Sequence, residues 1–282
     1  MSEFRPVPTS GNKSSDQIRK LVTAAFLLAI IIIMAVTPLG FLRLGITALT
    51  IIHLPVIIGS VLLGPAYGAF LGFAFGVSSV LNATFAPDLT SFAFSPFYSA
   101  GGFTGNGWSL VVAIVPRVLT GVVPFFIYKL LSFLLQKKYT DIIAHIVIIL
   151  GSLGLAVYKL VEVVEKGTTS LLFDFLIYTI IFAYITGDAI SKKFRFRSRE
   201  TMPFAAAGVL GSLTNTVFVL GSMSLFFGPQ VAQVVGTSAD LLYKFIFTLI
   251  ATNGIPEAIF ASLMTVIICK AAIKMFRKEE TE

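Results

Sequence analysis

Long apolar runs separated by short polar or basic segments set the pattern of this chain, and most have the length of a membrane-crossing helix. A hydrocarbon core of about 30 Å takes about 20 apolar residues in helical form. Residues 1–20 are polar, with Pro6, Pro8, Gly11 and several serines, and read as a disordered tail. The first run, LVTAAFLLAIIIIMAVT from Leu21, is closed by Pro38 and the loop PLGFLRLG. A second helix is expected from Ile46 to Gly64 with Pro55 at its middle. The turn LGPAYG leads to a third helix ending near Leu81. A long polar and aromatic loop, 82–107, precedes a fourth span from Trp108 to Tyr128. Residues 140–200 hold two further apolar runs, IIAHIVIILGSLGLAVYKLV and LLFDFLIYTIIFAYITGDAI, and read as a helical hairpin. Another helix follows from Met202 to Phe227. The last stretch is too long for one span. It divides into a short helix at 239–252, a break at Asn253-Gly254, and a final span from Pro256 to Lys274 capped by Asn253.

Composition narrows this to a class. Only 12% of the 282 residues are charged and 56% are hydrophobic, with a mean hydropathy of +0.91, whereas soluble domains carry about 25% charged residues. The 27 Phe and 23 Gly suit a bundle in lipid, where glycines let helices meet closely. Cys269 is the one cysteine, which excludes an internal disulfide framework and a cysteine-based metal centre. With two histidines, a multi-histidine metal site is not expected either, and no resident cofactor is implied. The net charge of +7 invites a nucleic-acid partner, but the basic residues cluster at the ends of apolar runs. Placing the N-terminus in the cytoplasm with eight spans puts groups such as Arg19 and Lys20, Lys137 and Lys138, Lys192 to Arg199, and Lys274 to Lys278 inside, and Arg43, Lys159, Lys166 and Lys244 outside. That bias predicts both termini in the cytoplasm. No small-residue cleavage site follows the first run, so it is expected to remain as a helix.

Several residues invite chemistry. Arg117 lies within a span, where an ionisable group is costly and normally faces a cavity or a partner. It suits bidentate grip of a ligand carboxylate, or a structural ion pair with Glu257. Glu257 begins the last helix and reads as a cap or as an acceptor for ligand hydroxyls. Asn215 is a polar group in a span, flanked by Thr214 and Thr216, and lines either a cavity or a helix contact. Asn253 is a cap or a ligand contact, and His53 beside Pro55 is a core histidine or a site residue. Gly64, Gly68, Gly72 and Gly76 make a stripe that serves either tight packing or a sliding face. Tyr98 and Trp108 belong to an aromatic loop that forms a lid or an interfacial belt. There is no H-E-x-x-H motif, P-loop or nucleophile elbow, so the chain reads as neither an ATPase nor an intramembrane enzyme.

AAFLLA in the first helix, IIHLPVIIGSVLLGPAYGAFLGFAFG, VPRVLTG, LGSLTNTVFVLG and ATNGIPEAIFAS together resemble the substrate-binding (S) subunits of energy-coupling factor vitamin transporters, over about residues 20–135 and 203–275. The pattern is most similar to the pantothenate-specific type; another vitamin or a cobalamin-related precursor fits the same frame, and a structural or assembly membrane protein is the remaining alternative. The resemblance implies an all-α, polytopic transmembrane bundle of six helices. It implies vitamin capture on the outer face of a bacterial cytoplasmic membrane, with a transmembrane coupling subunit and two ATPases as partners. It also implies a small-residue docking step in the first helix, here Ala25 and Ala29. Against that frame the domains are a tail (1–20), helices 1–4 with their outer loop (21–139), an inserted hairpin (140–200), and the last two core helices with a cytoplasmic C-terminus (201–282). For pantothenate, Arg117 suits the carboxylate, Asn215 and Glu257 the amide and hydroxyls, and Tyr98 and Trp108 the apolar wall, with Asn253 and His53 as further candidates.

Overall fold

The computed structural model describes residues 13–37, 40–44, 47–100, 102–135 and 194–279; the hairpin expected over 140–200 lies outside them, apart from its last residues. The chain divides into two compact units, Met1–Tyr128 with Phe204–Glu282, and Lys129–Pro203. Of the second unit the described residues are helical, as the continuation of one helix and the start of another. The first unit is a helical bundle, as the apolar runs predict. Its elements are α1 (Lys13–Val36), β1 (Phe41–Leu44), β2 (Thr47–Thr50), α2 (His53–Leu63), α3 (Pro65–Phe85), β3 (Ser99–Ala100), β4 (Phe103–Thr104), α4 (Gly107–Leu134), α5 (Phe194–Val234), α6 (Leu242–Leu249) and α7 (Ile255–Glu279). Among the described residues, five helical stretches are long and apolar enough to cross a membrane: Ser14–Val36, Pro65–Phe85, Gly107–Leu134, Thr201–Val234 and Leu242–Phe276.

The second helix departs from expectation. It begins at His53 rather than Ile46, because residues 47–50 pair antiparallel with 41–44, Phe41 opposite Thr50 and Leu44 opposite Thr47. Helix α2 is therefore 11 residues long, about 16 Å at the helical rise and too short to span a bilayer alone. All its residues are buried, so its ends meet protein rather than lipid, the condition under which irregular backbone is tolerated at membrane depth. Its side chains Val56, Ile58, Val61 and Leu62 form one core with Ala24, Leu27 and Ile31 of α1, Leu71 and Phe75 of α3, Ala207 of α5 and Cys269 of α7.

The glycine stripe of α3 resolves as packing. A Cβ on Gly68 would run into the Gly121 carbonyl, one on Gly72 into the Arg117 carbonyl, and one on Gly76 would stand 2.9 Å from Ile114 Cα. Helix α3 thus lies backbone to backbone against α4. Gly64 has φ of 102°, joining α2 to α3 in a conformation that side chains resist, and Pro65 opens α3.

The C-terminal stretch is also more continuous than expected. A 3-10 turn (Ala239–Leu241) leads into α6, a π turn (Ile250–Gly254) follows, and α7 begins without a break. Asn253 is therefore inside a helical ladder and not a cap before a new helix. Pro256, with no N–H to give to the preceding turn, sits where that ladder widens. Helix α5 extends past the expected end at Phe227, whose own φ of −132° interrupts it. The helix resumes to Val234, and Val231, Ala232 and Leu242 pack on Phe92, Met223 and Phe227 in a second, aromatic-rich core.

Candidate functional site

At the end of the bundle where the hairpin and the 86–95 loop converge, α3, α4, α5 and the α6–α7 stretch surround a cavity of about 200 Å³, more than ten times the ~10–15 Å³ one water needs. It is built by the same periodicity that packs the helices. Continuing the α3 stripe past Gly76 brings Ser79, Asn82, Ala83 and Ala86 to its wall, in positions where the glycines below them touch α4. Asn215 and Thr216 enter from α5, with Val219, Leu220 and Met223 on the following turns. Asn253 enters from the π turn and Glu257 from the first turn of α7. A Cβ on Gly254 would come within 3.1 Å of Thr216 Cγ2, so the glycine lets the turn approach α5. Phe94 comes from the loop, and Val235, Phe245 and Leu249 from the stretch between the end of α5 and the π turn.

Arg117 is 6% exposed and holds no carboxylate; the ion pair with Glu257 is absent from the described contacts. Its Nη1 donates to the Val112 carbonyl at 2.8 Å, its Nε is buried without a partner, and its guanidinium carbon stands 5.4 Å from the Phe75 ring centroid and 5.2 Å from that of Phe94. Those ring faces supply cation–π attraction in place of a counter-ion.

Glu257, also 6% exposed, accepts the Thr50 backbone N–H at 2.6 Å through Oε1, and Thr216 Oγ1 lies 3.5 Å from Oε2. It ties the end of β2 to α7 across the cavity wall. Asn215 is 5% exposed and its Oδ1 is a buried acceptor without a donor. An unpartnered buried polar atom costs about 1–3 kcal/mol. Two of them, one a donor and one an acceptor, on the wall of one cavity make a site short of a polar ligand. Across from them Asp88 is internally satisfied: its Oδ1 accepts from Thr90 N, Thr90 Oγ1 and Ser91 Oγ at 2.9 to 3.1 Å, and it holds the loop in shape.

Of the seven ligand candidates, the structure brings Arg117, Asn215, Asn253 and Glu257 to this one cavity. His53, Tyr98 and Trp108 are elsewhere. His53 is buried in the first turn of α2. Tyr98 packs against the aromatic core, and Trp108 stacks on Phe226 with centroids 4.3 Å apart and planes 12° from parallel. The apolar part of the wall falls instead to Phe94, Leu220, Met223 and Phe245. Ser79, Asn82, Thr50 and Thr216 were not among the candidates. The α3 stripe, followed one and then nearly two turns further, points to the first two; no local signal marks Thr50. On α1, Ala25 and Ala29 are exposed while Ala24, Leu27 and Ile31 face the core.

A family model described as ECF transporter, substrate-specific component, matches residues 19–269. The pantothenic acid transporter PanT of Lactococcus lactis subsp. cremoris (strain MG1363) is 30% identical over 226 residues, spanning 80% of this chain and 78% of that protein. The chain belongs to the family of ECF transporter substrate-specific components.

Proposed function

We propose that this member of the family captures pantothenate in the cavity between α3, α4, α5 and α6–α7. A transmembrane coupling subunit and two ATPases then complete its import across a bacterial cytoplasmic membrane. Family membership makes the chain one component of an ECF transporter, and its apolar helices make it a multi-pass membrane protein. The vitamin is inferred from the relative that the name PanT describes and from the chemistry of the wall. Pantothenate has one carboxylate, one amide and two hydroxyls around a gem-dimethyl group. Arg117 is the one basic residue on the described wall and takes the carboxylate, with Nε free to donate. Asn215, Asn253 and Glu257 take the amide and hydroxyls, and Phe94, Leu220, Met223 and Phe245 enclose the methyl groups.

The observation that carries this reading is a guanidinium whose Nε has no partner, buried in a span and sharing a cavity with an unsatisfied amide and a carboxylate. With both termini in the cytoplasm, α1 leads outward to the hairpin whose Thr50 meets Glu257, so the cavity opens on the outer side. Ala25 and Ala29, exposed on α1, form the face for the coupling subunit. Arg117→Gln should weaken pantothenate binding by about 10- to 100-fold, the value of a hydrogen bond to a charged group. Its gel-filtration profile and helical circular dichroism should stay unchanged. Unchanged affinity in a folded variant would remove Arg117 from the site.

A further inference from the structure

We infer that Pro116 is a positioning residue for Arg117: it frees the Val112 carbonyl that holds the guanidinium at the cavity wall. The inference deepens the assignment above, since it rests on Arg117 receiving the ligand carboxylate. In an α-helix the N–H of residue 116 would bond the carbonyl of residue 112, but proline has no N–H to offer. Val112 is fully buried, so its carbonyl is left inside the protein, away from bulk water. Arg117 Nη1 meets it at 2.8 Å. An orphaned acceptor and a buried donor, five residues apart on one helix, thus satisfy each other. The Phe75 and Phe94 rings, at 5.4 and 5.2 Å, add contacts to the same group. A long side chain that otherwise samples many rotamers is ordered before any ligand arrives, which favours binding through preorganisation.

Pro124 supplies an internal comparison. It is the other proline inside α4 and deprives the Thr120 carbonyl of its helical partner. Thr120 does not line the cavity, and its hydroxyl turns back to the Pro116 carbonyl at 2.8 Å. Removing either proline restores a ladder N–H; removing Pro116 alone gives the Arg117 acceptor a competing donor.

The test compares the purified full-length chain with its Pro116→Ala and Pro124→Ala variants, titrated with pantothenate and with pantothenol, in which an alcohol replaces the carboxylate. Pro116→Ala should weaken pantothenate about tenfold, equivalent to about 1.4 kcal/mol, while pantothenol binding stays as in the parent. The preference for the acid should therefore shrink. Pro124→Ala should leave that preference unchanged. Equal weakening of both ligands by Pro116→Ala, or an unchanged preference, would overturn the inference and leave the proline as a structural element. A second readout needs no ligand. In arginine-labelled protein the Arg117 Nη signals, assigned by their loss in Arg117→Gln, should report hindered rotation in the parent and free rotation in Pro116→Ala. Hindered rotation in both would also overturn it. If the parent failed to bind pantothenate the vitamin reading would fall, and the arginine signals would still decide the role of Pro116.

Discussion

Replacing Gly72 by alanine tests how closely the site's two inner helices approach. The added Cβ would collide with the Arg117 carbonyl oxygen and stand 2.9 Å from the Arg117 carbonyl carbon and 3.0 Å from Val118 Cα. All three are backbone atoms and none can swing aside. Carbon atoms rest comfortably at about 3.5–4.0 Å, so α3 and α4 must part locally by about 0.5–1 Å. Overpacking of this kind costs about 1–3 kcal/mol. The displaced residue is Arg117 itself, so ligand affinity should fall along with stability. Gly221→Ala is the matched control. It too is a helix-interior glycine, but nothing lies within 4 Å of its Cβ position, and alanine is favoured over glycine in a helix by up to about 1 kcal/mol. Thermal unfolding of the detergent-solubilised protein should show Gly72→Ala melting several degrees below the parent and Gly221→Ala at or above it. Gly68→Ala should be at least as damaging as Gly72→Ala, since its Cβ meets Gly121 on α4 and Ser60 Cα, at 2.9 Å, on α2. Equal melting points for Gly72→Ala and Gly221→Ala would refute the backbone-to-backbone contact on which the cavity wall is built.

Three further variants probe the docking face and the Glu257 contact. Ala25→Trp with Ala29→Trp should abolish vitamin uptake by cells expressing the whole transporter, yet leave pantothenate affinity of the isolated subunit within about twofold, because both alanines face away from the core; normal uptake would remove the docking face from α1. Glu257→Ala should cost about 1 kcal/mol of stability by stranding the Thr50 N–H and should weaken ligand binding. Glu257→Gln keeps an acceptor for Thr50 and should recover the melting temperature but not the full affinity. A binding titration and a melting curve on each variant separate the two roles.

What the sequence disclosed follows from what is expensive in lipid. Runs of about 20 apolar residues have few alternatives to a spanning helix, so α1, α3, α4 and α5 were visible as spans, but their polar ends were not: α1 begins at Lys13, inside the stretch expected to be a disordered tail, and α5 extends from Phe194 to Val234. Arg117, Asn215 and Glu257 stood out for the same reason, since a charge or amide in a span has to be accounted for. The start of α2 was hidden because a short apolar run suits a buried strand as well as a helix. Residues 47–50 find strand partners at 41–44 that no periodicity announces. The pairing of Thr50 with Glu257 joins positions 207 apart in the chain, beyond any local pattern. Tyr98 and Trp108 were chosen for being aromatic in an outer loop. Tyr98 instead packs against the Phe92–Phe227 core and Trp108 stacks on Phe226, while the wall aromatics are Phe94 and Phe245. Composition shows how many rings such a core contains, not which of them face the ligand.

The central claim, capture of one particular vitamin, is tested most directly by isothermal titration of the purified subunit in detergent with pantothenate, riboflavin, folate and cobalamin in turn. The account predicts tight, one-to-one binding of pantothenate and no heat of binding with the other three. Tight binding of riboflavin, folate or cobalamin, or no binding of pantothenate, would contradict it.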